Sequence, residues 1–207
     1  MSVRGSAMSE DSRSGDPKSV ARSRVPPNQS VTTSFYTLTA EAVPVVDTAA
    51  LVVRFWGQVI APVQMTWSEL MRVPSRTMVA DMHCVTGWSM LGTRWTGATM
   101  RDVLSAAGAE LLPSARFAMV HCSTEYTTNV PLEFLLADDT MLAWEWEGMP
   151  LTPEHGGPLR LFIPSLYAWK SAKWAAGFEF MTADRPGYWE SRGYHMRGDP
   201  WNEERYG

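Results

Sequence analysis

Cysteine and long apolar runs are scarce in this chain of 207 residues. Its two cysteines, Cys84 and Cys122, are too few for a disulfide framework, although a single bridge between them remains an alternative. No stretch of about 18 consecutive apolar residues occurs, so no transmembrane helix is expected. The N-terminal residues also lack the apolar core of a secretory signal. We therefore expect a cytoplasmic protein with reduced thiols.

A large excess of charge of either sign is absent as well. The sequence contains 18 Lys and Arg against 22 Asp and Glu, and this balance argues against a nucleic-acid-binding surface. Apolar and aromatic side chains are plentiful, because 45% of the residues are hydrophobic and ten are Trp. Indole rings bury large flat areas, and ordinary core packing accounts for most of them. The composition is that of a globular protein.

The first 32 residues differ in composition from the rest of the chain. Residues 1–32 are rich in Ser, Arg, Asp, Gly and Pro and are predicted to be a disordered tail. Residues 33–207 are then one domain, long enough for a substantial core. Within it we predict short helices after Thr66, Thr99 and Pro131, and strands at 51–60, 76–84, 117–122, 141–146, 159–163 and 177–181. Strands outnumber helices and regular βαβ alternation is absent, so the predicted fold class is α+β, with mixed β-sheets and short helices.

Two of these helices begin with capping patterns. Thr66 and Glu69 form a capping box ahead of Leu70. Thr99 precedes apolar residues at helical spacing, and these end at Gly108, a residue type that favours the C-terminal cap of a helix.

The segment DMHCVTGWSMLGTRWTGATMRDVL places Cys84 at the end of a predicted strand and before an indole-rich loop. A thiolate is a soft ligand that suits a heavy metal such as molybdenum or tungsten. Thr86 offers a hydroxyl group to a ligand, and Gly87 allows an unusual backbone path. The alternative is a buried free cysteine that acts as a small hydrophobic side chain.

The segment HGGPLRLFIPSLYAWKSAKW, residues 155–174, combines a Gly-Gly-Pro turn with basic side chains. Arg160 opens a predicted strand, and Lys170, Ser171 and Lys173 follow in a loop. Arg and Lys side chains, together with hydroxyl and backbone N–H groups, hold phosphate groups in proteins. A solvated basic loop is the equal alternative. Because neither a Walker motif nor a G-x-G-x-x-G turn occurs, a common nucleotide-binding loop is not predicted.

A histidine directly precedes each cysteine, as His83 and His121. A zinc site is therefore an alternative, but neighbours on a strand point to opposite faces, and C-x-x-C spacing is absent. A cysteine–histidine hydrolase is a second alternative. It would need an orienting Asn or Asp, which nothing in the local sequence specifies.

Three segments occur in a fixed order along the chain: HCVTGWSMLGTRWTG, HGGPLRLFIPSLYAWKSAKW and DRPGYWESRGYHMRGDPW. Together they resemble the sulfite oxidase-like family of molybdopterin-dependent oxidoreductases, and in particular its small members that consist of the catalytic domain alone. They are also similar to the catalytic subunit of bacterial methionine sulfoxide reductase. The resemblance runs from about Ser34 to Tyr206 and implies the sulfite oxidase catalytic-domain fold.

The resemblance assigns roles to individual residues. It implies that Cys84 binds molybdenum through its thiolate, and that the molybdopterin is contacted by Tyr36, Thr37, Cys122, His155, Arg160, Lys170, Ser171, Ala172 and Lys173. Arg94 is a further catalytic candidate that would hold an anionic substrate, with a structural carboxylate as the equal alternative. The aromatic segment around Trp189 and Tyr194 would either cover the mouth of the pocket or pack as a strap on the domain.

The resemblance also implies an enzyme with a Mo-molybdopterin cofactor. The expected reaction is two-electron oxygen-atom transfer on a small oxo-anion or a small S- or N-oxide, with an unidentified electron-transfer partner. Sulfite, a sulfoxide and an N-oxide all remain open as substrates. Two alternatives to this function are a non-catalytic binding module that keeps the fold and a zinc-binding scaffold.

Overall fold

A computed structural model describes residues 24–207 of the chain. These residues contain eleven strands and three α-helices: β1 (Ser30–Thr32), β2 (Val52–Gly57), β3 (Val63–Thr66), α1 (Trp67–Leu70), β4 (Arg76–His83), β5 (Trp88–Thr99), α2 (Met100–Ala107), β6 (Phe117–Cys122), β7 (Thr127–Pro131), α3 (Leu132–Leu135), β8 (Met141–Trp146), β9 (Met149–Pro150), β10 (Arg160–Phe162) and β11 (Ala175–Met181). Short 3-10 helices lie at Pro153–His155, Ala168–Lys170 and Glu190–Arg192.

The strands form two mixed sheets. One sheet has the order β1-β5-β8-β10, with β4 paired to β5 and β9 paired to β8, and the other has the order β3-β2-β11-β6-β7. The β1–β5 and β2–β11 pairs are parallel, and the other pairs are antiparallel. Mixed sheets with short helices are the fold class predicted from the element order, which is confirmed.

One buried cluster joins the two sheets. Phe55 and Phe178 stack within the second sheet, with ring centroids 5.6 Å apart, and the same cluster includes Leu142 and Leu161 of the first sheet. Burial of such side chains is worth about 1.5–3 kcal/mol each. A smaller cluster centres on Trp95, which stacks on Phe162 at 4.1 Å.

The predicted helix caps are confirmed. The Thr66 side chain accepts a hydrogen bond from Glu69 N at 3.3 Å, and the Glu69 carboxylate accepts from Thr66 N at 2.8 Å. Thr99 accepts from the backbone of Asp102 at 3.1 Å, and Gly108 ends α2 in the left-handed conformation with φ +67°.

The chain becomes ordered earlier than predicted. Strand β1 lies inside the segment predicted to be a disordered tail, so the end of that tail at residue 32 is wrong. The strand forms because Ser30–Thr32 pair with Trp88–Met90 of β5, a partner that local composition cannot reveal. Residues 1–23 of the predicted tail lie outside the described residues.

The loop predicted after Cys84 is instead the longest strand, β5. It pairs with β4 along most of its length, with β1 near its start and with β8 near its end. These partners impose a strand on a sequence interrupted by glycines. Gly97 is needed where β5 pairs with β8, because a Cβ atom at this position would lie 2.1 Å from Leu142 O.

Between β1 and β2 the chain runs without regular structure. Residues 33–46, which we call the strap, contain neither helix nor strand. The strap is attached through side chains: Lys173 Nζ donates to Leu38 O at 2.9 Å, and the Glu41 carboxylate accepts from Tyr126 N at 3.1 Å.

Candidate functional site

The strap closes one side of a cavity of about 360 Å³. The remaining walls come from the turn between β4 and β5, from strand β10 and the loop after it, and from the C-terminal aromatic segment. The lining residues are Phe35, Tyr36, Leu38, Thr39, Ala40, Glu41, Met82, Cys84, Val85, Thr86, Trp88, Tyr126, Arg160, Ala168, Trp169, Ser171, Ala172, Lys173, Trp174, Trp189 and Tyr194. Segments far apart in sequence therefore meet at one pocket.

Cys84 lies directly after β4, at the wall of this cavity. A tight turn follows it, in which Gly87 N donates to Cys84 O at 3.0 Å and Cys84 N donates to Trp88 O at 2.8 Å. The residue is 7% exposed, and its Sγ accepts a hydrogen bond from Thr86 Oγ1 at 3.2 Å. Cys84 is a free thiol, so its sulfur is available as a ligand.

Arg160 places a buried cation in the same cavity. Its guanidinium donates to His155 O at 2.9 Å and to Ser171 O at 2.8 Å, and it lies 5.4 Å from the centroid of the Trp95 ring. Burial lowers the pKa of Arg160 to about 10. Within residues 24–207 it forms no salt bridge, so its charge is balanced by carbonyl oxygens alone.

Lys173 adds a second cation. Its Nζ donates to Leu38 O at 2.9 Å and to Glu154 O at 2.6 Å. Burial, and secondarily the positive charge of Arg160, lower the pKa of Lys173 to about 7. Two neighbouring cations held by neutral oxygens form a site that favours an anion.

Ser171 and Ala172, between these cations in sequence, also line the cavity. The Ser171 hydroxyl accepts from Ile163 N at 2.9 Å, which fixes the loop against the end of β10. Both were predicted as cofactor contacts, and the structure places both at the cavity wall.

Tyr36 and Thr37 lie on the strap, but in different surroundings. Tyr36 lines the cavity and packs edge-on against Trp88 at 5.6 Å. Thr37 Oγ1 lies 3.3 Å from His155 Nε2, and the His155 ring stacks on Phe35 at 4.1 Å. Burial is the main cause that lowers the pKa of His155. Thr37 and His155 do not line the cavity. His155 contacts the strap through Thr37 and Phe35 and so helps to hold it in place.

Lys170 was predicted to face a bound anion, and the structure places it outside the cavity lining. Its Nζ is buried and donates to Glu190 Oε1 at 2.5 Å, to both oxygens of Asn129, and to Met196 O. Burial lowers the pKa of Lys170, and the Glu190 carboxylate opposes that shift. The ammonium group is engaged inside the protein and does not reach the cavity.

Two further predicted residues also lie away from the cavity. Arg94 is exposed, with Nη2 3.2 Å from the Glu147 carboxylate, as the structural-carboxylate alternative expects. Its contact with a substrate stays a prediction. Cys122 ends β6 and packs against the main core, where burial raises the pKa of its thiol. The structure therefore places Cys122 outside the cavity lining, and its contact with the cofactor stays a prediction.

The zinc and hydrolase alternatives find no support in the described part of the chain. His83 Nδ1 lies 2.8 Å from Ser89 Oγ, and His121 Nε2 lies 3.3 Å from the Glu179 carboxylate. Across residues 24–207, no three His, Cys, Asp or Glu side chains are grouped to hold a metal ion.

Eight of the 21 residues that line the cavity are aromatic, and sequence reasoning identified only part of them. Trp189 and Tyr194 line the cavity, as one of the two predictions for the C-terminal segment proposed. Burial is the first cause that raises the pKa of Tyr194. Phe35, Trp88, Trp169 and Trp174 were missed. The excess of Trp was the one signal for the three indole side chains, and it gave none for Phe35.

Comparison with known proteins gives consistent results. A family model described as the oxidoreductase molybdopterin binding domain matches residues 40–189. The uncharacterized oxidoreductase YuiH of Bacillus subtilis is 44% identical over 88% of this chain and 92% of its own length. The putative protein-methionine-sulfoxide reductase subunit YedZ1 of Azospira oryzae is 30% identical over 74% of this chain, which spans 57% of that relative.

A solved structure shows the same fold. The sulfane dehydrogenase SoxCD from Paracoccus pantotrophus superimposes with a TM-score of 0.61 at 20% sequence identity, over 68% of this chain and 40% of that one. Among the described residues, no helix has the length and apolar character needed to span a bilayer.

Proposed function

Because the chain belongs to the oxidoreductase molybdopterin-binding domain family, we propose that it catalyses two-electron oxygen-atom transfer on a small sulfur- or nitrogen-oxo substrate. Family membership makes the chain a molybdopterin-dependent oxidoreductase with a Mo-molybdopterin cofactor. The observation that carries the proposal is the cavity itself, since it joins the Cys84 thiol to the cations Arg160 and Lys173.

The residues of the cavity fit this cofactor chemically. A molybdenum–pterin group needs a soft ligand for the metal and cations for the pterin phosphate. Cys84 supplies a free sulfur, and Arg160 and Lys173 supply positive charges that form no salt bridge to carboxylates within residues 24–207. Because burial lowers the pKa of Arg160 and of Lys173, an anion bound beside them would stabilise their charged forms.

When bound, the cofactor supplies the two-electron chemistry, and the chain supplies binding and orientation. In our proposal the Cys84 sulfur holds the metal. Arg160 and Lys173 would hold the phosphate end, and Ser171 and Ala172 would line the same part of the cavity wall.

In this proposal the aromatic residues of the cavity wall exclude water from the site. Trp169, Trp174 and Trp189 cover the cavity with apolar rings, which exclude water and strengthen the electrostatic interactions inside. Trp169 is fixed because its Nε1 donates to Glu190 Oε1 at 2.9 Å.

Metal analysis tests the role of Cys84. Wild-type protein made in a host that synthesises molybdopterin should carry about one molybdenum per chain. The Cys84→Ser variant should lose most of this molybdenum, because it lacks the sulfur ligand. Cys122→Ala is the matched control, since it removes the other thiol of the chain, and it should keep the metal.

Each outcome of this experiment has a distinct meaning. Wild-type protein without molybdenum would support a non-catalytic module that keeps the fold. Equal molybdenum content in the wild type and in Cys84→Ser would support the proposed cofactor but reject Cys84 as the ligand of its metal.

The substrate class follows from a second experiment. Once molybdenum is confirmed, the loaded enzyme is screened with an artificial electron carrier against sulfite, organic sulfoxides and N-oxides. The proposal expects turnover of at least one of these oxo compounds in the wild type and none in Cys84→Ser. Absence of turnover with all three classes would contradict oxygen-atom transfer.

A further inference from the structure

Both ends of the described chain brace the turn that carries Cys84. Cys84 O accepts hydrogen bonds from Gln29 Nε2 at 3.0 Å and from Gly87 N at 3.0 Å. The guanidinium of Arg205 donates to Val85 O. Carbonyl groups that already have donors leave the turn little freedom to change its conformation.

This rigid turn aims one hydroxyl group at the Cys84 sulfur. Thr86 Oγ1 donates to Sγ at 3.2 Å. The chain then turns sharply at Gly87, whose φ of +98° lies in the region that only glycine adopts easily. Thr86 lines the cavity, so the hydroxyl group and the sulfur lie at the same wall.

The Thr86 hydroxyl is the single hydrogen-bond donor that reaches this sulfur from residues 24–207. The nearby Gln29 and Arg205 side chains donate to backbone oxygens instead. The hydrogen bond to the sulfur therefore comes from a side chain that can be altered without changing the ligand residue.

We propose that Thr86 is a positioning residue that raises the reduction potential of the metal held by Cys84, by donating a hydrogen bond to the ligand sulfur. The inference rests on the proposed function, in which that sulfur is the metal ligand. A donor to a thiolate withdraws electron density from it, which weakens its donation to the metal and stabilises the reduced state.

Two substitutions at one position separate the hydrogen bond from the shape of the side chain. Thr86→Val keeps the branched shape and removes the hydroxyl group, whereas Thr86→Ser keeps the hydroxyl group and removes the methyl group. Thr39→Val is the matched control, because Thr39 lines the same cavity and its hydroxyl group does not contact Sγ. Each protein is loaded in the host, its molybdenum content is measured, and its midpoint potential is determined by redox titration of the metal's electron paramagnetic resonance signal.

The expected result is a more negative potential in Thr86→Val, with Thr86→Ser and Thr39→Val unchanged from the wild type. Loss of molybdenum from Thr86→Val alone, with Thr86→Ser loaded, would also support the donor. An unchanged potential in a loaded Thr86→Val protein would overturn the inference, and so would the same shift or the same metal loss in both Thr86 variants. Molybdenum missing from the wild type would instead reject the proposed function, so the two failures are distinguishable.

Discussion

Lys173 shows how burial changes the chemistry of a single side chain. Its ammonium group lies beside Arg160 and donates to two backbone oxygens, and its pKa is lowered to about 7. An ordinary lysine is fully charged at neutral pH, whereas this one is charged only in part. An anion that binds beside it stabilises the protonated form and raises its pKa.

The first prediction concerns the pH dependence of cofactor retention. Because binding raises the pKa of Lys173 above about 7, affinity is highest below that pH and falls as the pH rises toward the pKa of the complex. The arginine of Lys173→Arg stays protonated at all of these pH values, so this variant should lose less cofactor as the pH rises. The measurement is the molybdenum kept after desalting between about pH 6 and 9. Dividing the molybdenum kept by the variant by that kept by the wild type at each pH removes any pH sensitivity of the cofactor itself. A ratio that stays constant with pH would contradict the role of Lys173.

Lys170 differs from Lys173 although the two are three residues apart in sequence. Its ammonium group meets Glu190, and both side chains have 0% exposure. The pair joins the 3-10 helices Ala168–Lys170 and Glu190–Arg192, and Glu190 also accepts from Thr128 Oγ1 at 3.0 Å. These two short elements hold the loop that carries Trp169 against the segment that carries Trp189.

Glu190→Gln should therefore lower the free energy of unfolding strongly. It leaves the Lys170 charge buried without a counter-ion, and the loss of one partner of a buried pair costs about 3–5 kcal/mol. Glu147→Gln is the matched control, because it removes the exposed pair with Arg94 and should cost about 0–1 kcal/mol. Urea unfolding of the cofactor-free proteins measures both, and equal losses would show that the buried pair does not stabilise these elements.

Local signals in the sequence were sufficient for several elements and insufficient for others. The Thr66–Glu69 capping box and the Thr99 cap were predicted and confirmed, because all their contacts lie within one helical turn. Strand β5 was predicted to be a loop, because its pairing partners lie elsewhere in the chain. The role of Lys170 could not be predicted for the same reason, since its partner Glu190 is 20 residues away.

At the scale of the whole molecule, the cavity exists because distant segments converge. The segments with Cys84 and with residues 155–174 were identified from the sequence, and the structure brings Cys84, Arg160 and Lys173 to one pocket. Of the strap, only Tyr36 and Thr37 were predicted at the site, through the family resemblance. The rest was not predicted as a wall, because residues 33–46 have no periodic pattern and are attached by individual side chains.

The central claim is that the Cys84 sulfur is bonded to molybdenum inside this cavity. Anomalous diffraction at the molybdenum edge, from crystals of the loaded wild-type enzyme, locates the metal without any substitution. The account predicts one strong peak at bonding distance from Cys84 Sγ, on the side that faces Arg160 and Lys173. A molybdenum peak away from that sulfur, or outside the cavity, would contradict it.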